Sequence, residues 1–566
     1  MNSRAFTWLL LALVMAVALG LRFLGLTGIG VGGSDTILYY TLAEYWIRGD
    51  LTFAVGDSIE VFRPVLLGFN ALALLLFGHT DVAIKLANVL LDGANMALVA
   101  LLAWQLSRSR WVAVASAASY GLLPIAIWAS RQELPHTPST FFVLLSFLAA
   151  FRGAWVRGQR QTIIWMACSG LALLAAVMTH EELVFLALPL MLAFVLGRRA
   201  VASTDPVSPW PALGAFCLFP LLAALLVLGH GGERVVSTLR PGVGDSWTMV
   251  VQYPERAARF AWNGVVGASS AVFALGIAFS ALHWLLSLRG ERRGEDRYAI
   301  GYGMCLLTPL LFIATYAVFF GTVFPRAILP LMPLLVVAVF MSVDRALAGK
   351  PVILRNVAAT ALVAVFAISN LASFTAFKVG NRRFGLEWAA PDWPTPALLQ
   401  RGYGEFLLDA RYIPSYATHW RRIHDVLVDR VDGDNRLLVA PSVSLYAAGR
   451  RPLQTEVYLG DNAVYRLDHF DQPLAAVLLH KKIRFVVYTI AQVRSAPSIY
   501  RPYTYGGTWG KAREVDLAKA YGLPEYSARA EFYQLTALLR ELGARPLTLF
   551  PPDSFEARYA RVWQLP

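Results

Sequence analysis

The sequence predicts a polytopic α-helical membrane protein of about eleven transmembrane helices, with external juxtamembrane helices and a C-terminal soluble α/β domain. Three observations predict it. Of 566 residues, 57% are hydrophobic and only 15% charged. Apolar runs long enough to cross a bilayer recur between residues 6 and 377. From about Lys378 the composition turns mixed in charge, with β-like runs such as RLLVAPS and IRFVVYT between Pro- and Gly-bearing connections.

The expected spans lie near 6–27, 81–107, 111–130, 138–153, 162–179, 182–198, 210–230, 264–288, 298–320, 325–344 and 353–377. One further apolar run, 61–78, decides the topology. If it does not cross, the basic clusters share one side: Arg4; Arg108 and Arg110; Arg152, Arg157 and Arg160; Arg198 and Arg199; Arg289, Arg292, Arg293 and Arg297; Arg345, Lys350 and Arg355. If it crossed, every later cluster would change sides. The run is therefore read as a re-entrant or interfacial helix, with the N-terminus in the cytoplasm and the C-terminus outside.

The net charge of +13 would suit nucleic acid if the basic residues shared one face, but they lie in short clusters between apolar runs. No nucleic-acid partner is expected. Cys168, Cys217 and Cys305 all fall in apolar runs, so no disulfide framework is expected either. The first apolar stretch lacks a small-residue cleavage site and reads as an uncleaved span. Residues 378–566 are enough for a core of their own.

With this topology the outward-facing polar residues gather. Asp35, in GVGGSDTILYY, follows the first span and precedes a helix-like segment. Its position suits an N-cap as well as a chemical role. Beyond it come Asp57, Glu60 and Arg63-Pro64, then the loop RQELPH (Arg131 to His136), the short loop THEE (Thr179 to Glu182), a longer loop from His230 to about Asn263, and Arg326 at the mouth of a later span. For Glu133 and His136, spaced i,i+3, and for His180-Glu181-Glu182, local sequence favours ordinary interfacial solvation over a chemical role. Lys85, Asn88, Asp92 and Asn95 recur every three or four residues and so line one face of the second span. Ionisable residues at that depth face a protein interior or a wet cavity. They mark either a site or a Lys85–Asp92 ion pair that locks packing.

Taken in order, these pieces resemble the GT-C superfamily of integral-membrane glycosyltransferases, in particular its bacterial branch similar to protein O-mannosyltransferases and lipid A aminoarabinose transferases. The family places an acid after the first span, here Asp35, then a Tyr-containing helix ending Gly49-Asp50. An Arg-Pro segment leading to an apolar helix with a Phe-Gly end matches FRPVLLGFNALALLLFG, and a basic residue early in the second span matches Lys85. A Pro-containing third span and Ser-Arg loop match YGLLPIAIWASRQELPHTPSTFF, where His136 stands in place of the family's second acid and Glu133 lies three residues before it. The Thr-Lys motif reads Thr179-His180-Glu181, and FPRAILPLMPLL resembles the family's Arg-x-x-x-Pro-x-x-Pro span through Arg326.

The resemblance implies transfer of a sugar from a polyprenyl-phosphate carrier to a lipid, glycan or protein acceptor, by inversion, at the outer face of a bacterial inner (plasma) membrane. Membrane lipids are the other partner it implies. It assigns residues 1–377 to a catalytic membrane domain, with 28–80 as its first external loop, and 378–566 to a periplasmic or extracytoplasmic domain. It gives Asp35, Glu133 and His136 to catalysis, and Arg63, Lys85, Arg131 and Arg326 to the donor phosphate. Tyr39, Asp92, His180 and Glu181 go to the sugar or acceptor. A divalent metal (Mn, Mg or Zn) on Asp35, Glu133 and His136 fits that chemistry. The aromatic loop Tyr500 to Trp509 offers a surface for a sugar or for packing. A flippase for lipid-linked glycans or a non-catalytic scaffold is the rival expectation. The first calls for inverted repeats and several deep charge stripes, of which the sequence has one stripe and no repeat.

Overall fold

The computed structural model describes residues 3–23, short pieces between 26 and 49, 63–199, 208–229, 271–287, 296–320 and 325–375. Beyond these it describes 378–379, 382–383, 426–427, 430, 436–440, 455–458, 483–489, 539–552 and 560–566. Asp35, the loop 231–263 and the aromatic loop 500–509 lie outside the described residues.

The apolar runs form helices in the expected order. They are α1 (Ser3–Phe23), α2 (Pro64–Phe77), α3 (Asp81–Ser107), α4 (Arg110–Gly121), α5 (Pro124–Ser130), α6 (His136–Trp155) and α7 (Gln159–Val177). A 3-10 turn (Glu181–Leu186) leads to α8 (Ala187–Arg199), followed by α9 (Trp210–Gly229), α10 (Ala271–Ser287) and α11 (Asp296–Phe320). The short α12 (Pro325–Ile328) and a second 3-10 turn (Leu329–Leu331) precede α13 (Met332–Ala346) and α14 (Val352–Thr375).

Among the described residues, five helical stretches are long and apolar enough to cross a membrane: Val82–Ser107, His136–Trp155, Gln159–Val177, Tyr298–Thr315 and Leu329–Ala346. Shorter apolar helices cover Trp8–Phe23, Pro64–Phe77, Trp210–Leu226, Val272–Ser287 and Ile353–Ser369. Leu9, Leu13, Leu75, Leu218, Leu221, Leu225, Leu282 and Ile353 stand exposed on the outside. An apolar exterior of this extent belongs in lipid. The chain is a multi-pass membrane protein.

Two expected spans are interrupted. The run 111–130 is two helices, α4 and α5, because Pro124 bars the helical conformation at the residue before it. Leu123 is extended, at φ −67° and ψ 125°. Near 182–198 the chain opens as the 3-10 turn before α8, after His180 takes an extended conformation at φ −153° and ψ 105°. The run 61–78 yields α2, which starts on Pro64, buries Leu66, Leu67, Asn70 and Leu74, and exposes Leu72, Leu75 and Leu76.

Helix α13 is the innermost element, with every side chain from Met332 to Ser342 buried. It packs on α4, α10 and α11, while α7 packs on both α6 and α9. The close approach of α7 to α9 depends on Gly170, where a Cβ would sit 2.6 Å from the Phe216 carbonyl oxygen. Ser146 and Ser169 donate to each other's backbone carbonyls at 2.9 Å and so fasten α6 to α7.

In the C-terminal residues the runs RLLVA and IRFVVYT are strands β3 (Arg436–Ala440) and β5 (Ile483–Thr489). The two pair in parallel. After a short antiparallel pair, β1 (Lys378–Val379) with β2 (Arg382–Arg383), a five-stranded mixed sheet forms. Its remaining strands are β4 (Thr455–Tyr458), β6 (Arg545–Leu547) and β7 (Ala560–Gln564), in the order β4-β3-β5-β7-β6. Phe485, Val486 and Val487 are buried in succession, as expected of a strand covered on both faces.

Gly170→Leu is expected to cost about 1–3 kcal/mol by forcing α7 from α9. A lowered unfolding temperature of the purified protein checks this, and an unchanged one contradicts the tight contact.

Candidate active site

The polar face of α3 is buried along its length, and each member has a partner on a different element. Lys85 Nζ lies 3.5 Å from Glu133 Oε1, with both side chains fully buried. Asn88 Nδ2 donates to the Gln132 carbonyl at 2.7 Å, and Asn95 Nδ2 to the Thr137 carbonyl at 3.2 Å. The stripe therefore holds the loop Arg131–His136 and the start of α6. Lys85 and Asp92 do not pair with each other.

Asp92 pairs with Arg22 of α1. The Arg22 Nε and Nη2 atoms approach Asp92 Oδ2 at 2.7 and 2.6 Å, and Tyr120 donates its hydroxyl to Asp92 Oδ1 at 2.6 Å. Asn95 Nδ2 adds a bond to Oδ1 at 3.2 Å. Arg22 Nη1 donates to the carbonyls of Ala18 at 2.9 Å and Gly121 at 2.7 Å. The Gly121 carbonyl is available because the helix stops there, ahead of Pro124. Gly121 also admits α1 and α3, since a Cβ at this position would lie 2.9 Å from both Ala18 and Met96. The structure thus places Asp92 at the centre of a polar network that joins α1, α3 and α4. The sequence reading missed Arg22. Its signal was a lone arginine near the end of the first apolar run, far from the basic start at Arg4.

Arg63 directly precedes α2. Its Nε and Nη2 donate to Glu181 Oε2 and Oε1 at 2.8 and 2.7 Å, and its Nη1 donates to the Tyr39 hydroxyl. The guanidinium carbon also sits 5.5 Å from the Tyr39 ring centre. Burial alone would raise the Glu181 carboxyl, but the charge and hydrogen bonds of Arg63 outweigh it and hold the pKa down at about 2. Next to Glu181, His180 Nδ1 lies 3.4 Å from Glu182 Oε2, and its ring centre is 5.5 Å from that of His136. Glu44 accepts from the Tyr40 hydroxyl and contacts His79 Nδ1, both at 3.0 Å, which ties the segment carrying Tyr39 to the end of α2.

These contacts form one chain of neighbours: Tyr39, Arg63, Glu181, His180, His136, the loop through Glu133, and Lys85. Arg131 is buried in the same loop, and burial together with the charge of Arg22 brings its pKa down to about 10. It remains protonated at neutral pH. Arg63, Lys85 and Arg131, all buried or nearly so, lie along this run of neighbours. Arg326 lies in α12, but its side chain is outside the described part, as is all of Asp35. Among the described residues no group of three or more His, Cys, Asp or Glu is arranged to hold a metal ion.

The chain has the fold of the GT-C glycosyltransferases, in line with the resemblance of its motifs. The particular likeness is to ArnT from Cupriavidus metallidurans. The crystal structure of ArnT bound to undecaprenyl phosphate matches with a TM-score of 0.51 at 15% identity, over 86% of this chain and 94% of that one. The apo form matches with a TM-score of 0.51 at 16% identity, over 88% and 95%. No protein-family model matches the sequence, and no curated protein does. Likeness at this identity establishes the fold and leaves the chemistry to the residues of the site.

Breaking the Arg22–Asp92 pair by Arg22→Met or Asp92→Leu alone is expected to cost about 3–5 kcal/mol, because a buried charge loses its counterion. The double variant is expected to recover most of that loss in an unfolding assay, and equal losses that simply add would contradict it. For Glu181 the folded pKa lies below the unfolded one, so its ionic contribution is complete above about pH 4.5 and fades as pH falls toward about 2. The stability difference between the wild type and Glu181→Gln should hold at pH 5 and shrink below pH 4.

Proposed function

We propose that the chain is a glycosyltransferase that moves a sugar from a polyprenyl-phosphate carrier to a lipid, glycan or protein acceptor. The observation that carries this reading is the gathering of Arg63, Lys85 and Arg131 along one chain of contacts with Glu133, His136, His180 and Glu181. Buried cations beside a few acids suit a phosphate leaving group, whose charge grows as the bond to the sugar breaks. The likeness in fold to ArnT, crystallised with undecaprenyl phosphate, supports the same carrier chemistry.

In this reading the acceptor's nucleophile attacks the sugar carbon from the face opposite the phosphate. The bond from carbon to phosphate oxygen breaks, and the configuration inverts. Asp35 takes the acceptor proton, a task a carboxylate performs when its pKa suits. Arg63, Lys85 and Arg131, joined by Arg326, hold the departing polyprenyl phosphate. Glu133 neutralises Lys85 and lies within reach of the same site as His136, which makes both candidates for the second catalytic group. Tyr39 and His180 face the sugar or acceptor. Helix α2, with its exposed leucines, lines a path for the lipid tail. A divalent cation (Mn, Mg or Zn) in this site draws on Asp35 together with Glu133 or His136.

The orientation follows the basic clusters. The N-terminus is cytoplasmic, and the site faces the outside of a bacterial inner (plasma) membrane. Residues 1–377 form the catalytic domain, and 378–566 a periplasmic or extracellular domain that helps recognise the acceptor.

Asp35→Asn is expected to lower transfer from a polyprenyl-phosphate sugar by about 10²-fold or more, with binding of the carrier phosphate kept. Normal transfer by this variant removes Asp35 from the mechanism. Lys85→Met should chiefly weaken carrier binding, and unchanged binding removes Lys85 from the phosphate site.

A further inference from the structure

A guanidinium offers five N–H donors in a rigid planar fork. Among the described residues, three donors of Arg63 are engaged. Nε and Nη2 grip the two oxygens of Glu181 at 2.8 and 2.7 Å, and Nη1 holds the Tyr39 hydroxyl. One N–H on Nη1 and one on Nη2 are left for a ligand. The two fork bonds fix the plane of the guanidinium, and the Tyr39 ring beneath it at 5.5 Å fixes its face. Glu181 spends both oxygens on Arg63, and the side chain that receives this support is only 11% exposed while Glu181 is 42% exposed.

We infer that Glu181 is a positioning residue and not a sugar ligand: it grips the Nε/Nη2 edge of Arg63 and leaves the Nη1/Nη2 end for the phosphate of the lipid carrier. The inference rests on the proposed role of Arg63 at that phosphate. Its mechanical basis is general. An arginine side chain has several rotatable bonds, and a ligand that must also immobilise it loses affinity in doing so. A guanidinium already held in its plane does not carry that cost. The carboxylate comes from the loop between α7 and α8, and the arginine from the start of α2. Glu181 therefore couples the first and third external loops through the atom set that meets the donor.

The opposite behaviour is also physically possible. A carboxylate on an arginine can compete with phosphate for the same donors, and removing it would then tighten binding. The sign of the effect separates the two.

The test uses the full chain in detergent or nanodiscs, with undecaprenyl phosphate as the probe. Five proteins are compared: wild type, Glu181→Gln, Arg63→Lys, the double variant of these two, and Arg63→Ala. Positioning predicts that Glu181→Gln weakens binding by about tenfold, equal to about 1.4 kcal/mol. It also predicts no further loss on the Arg63→Lys background, because an ammonium has no fork to be held. The donor KM should rise with the Kd while the acceptor KM stays, a split that general loosening of the loop would not produce. Should Glu181→Gln fail to fold, Glu181→Asp keeps the charge but shortens the reach, and an affinity below wild type supports the same role. Equal or tighter binding by the folded Glu181 variant overturns positioning. If Arg63→Ala leaves binding unchanged, the assignment of Arg63 to the phosphate fails instead. If Arg63→Ala weakens binding and Glu181→Gln does not, only the positioning role is lost.

Discussion

The ion pair between Arg22 and Asp92 is the contact on which the rest of the site depends. Taking a guanidinium and a carboxylate out of water costs several kcal/mol each, and the attraction between them repays this only when every other donor and acceptor is met. The surroundings meet most of that condition, although Arg22 Nη2 and Asn95 Oδ1 make no hydrogen bond among the described residues. Asp92 receives Arg22, Tyr120 and Asn95, while Arg22 also reaches the carbonyls of Ala18 and Gly121. The last of these exists only because Pro124 stops α4 at Gly121. Three segments leave this knot: the chain after α1 that carries Asp35, the N-terminal half of α3 with Lys85, and the loop that presents Arg131, Glu133 and His136. An error in the knot would be felt in all three.

The remaining charges are arranged in the same economical way. Lys85 has Glu133, and Arg63 has Glu181. Arg131 is the cation under most electrostatic tension, since burial and Arg22 both act against its charge. In the proposed reading, the carrier phosphate is an anion that would relieve that tension. Low local dielectric strengthens this attraction and makes it less sensitive to salt than a surface pair would be.

The parts of this arrangement that follow a local rule were legible in the sequence. The apolar runs, the stripe at Lys85, Asn88, Asp92 and Asn95, and the strands RLLVA and IRFVVYT all obey short-range periodicities. The partners of the buried charges did not, because they depend on contacts across long separations: Arg22 is seventy positions from Asp92, and Glu181 is 118 from Arg63. Lys85 and Asp92 share a helix and made an attractive pair on paper, yet each found a stronger partner elsewhere. The interruption at Leu122–Leu123 was a readable event, since Pro124 stood in plain view, but hydropathy alone ran across it. What Asp35 does within the site rests on the motif resemblance, as it lies outside the described residues.

A fold held in this way tolerates wide change in sequence. Lipid is as apolar as leucine, so little hydrophobic drive remains between helices within a bilayer, and outward positions need only stay apolar. Specificity then falls to small residues that let helices approach and to polar groups that stitch them together. Gly121 and Gly170 serve as the first kind, and Asn88, Asn95, the Ser146–Ser169 pair and the Ser280–Ser342 contact at 2.9 Å as the second. A handful of such positions can preserve helix placement while the rest of the surface drifts. That is how a likeness in backbone to ArnT can persist at 15% identity. It also means that the residues worth comparing between such proteins are the buried polar ones, whose partners are fixed by geometry, and not the far more numerous apolar ones.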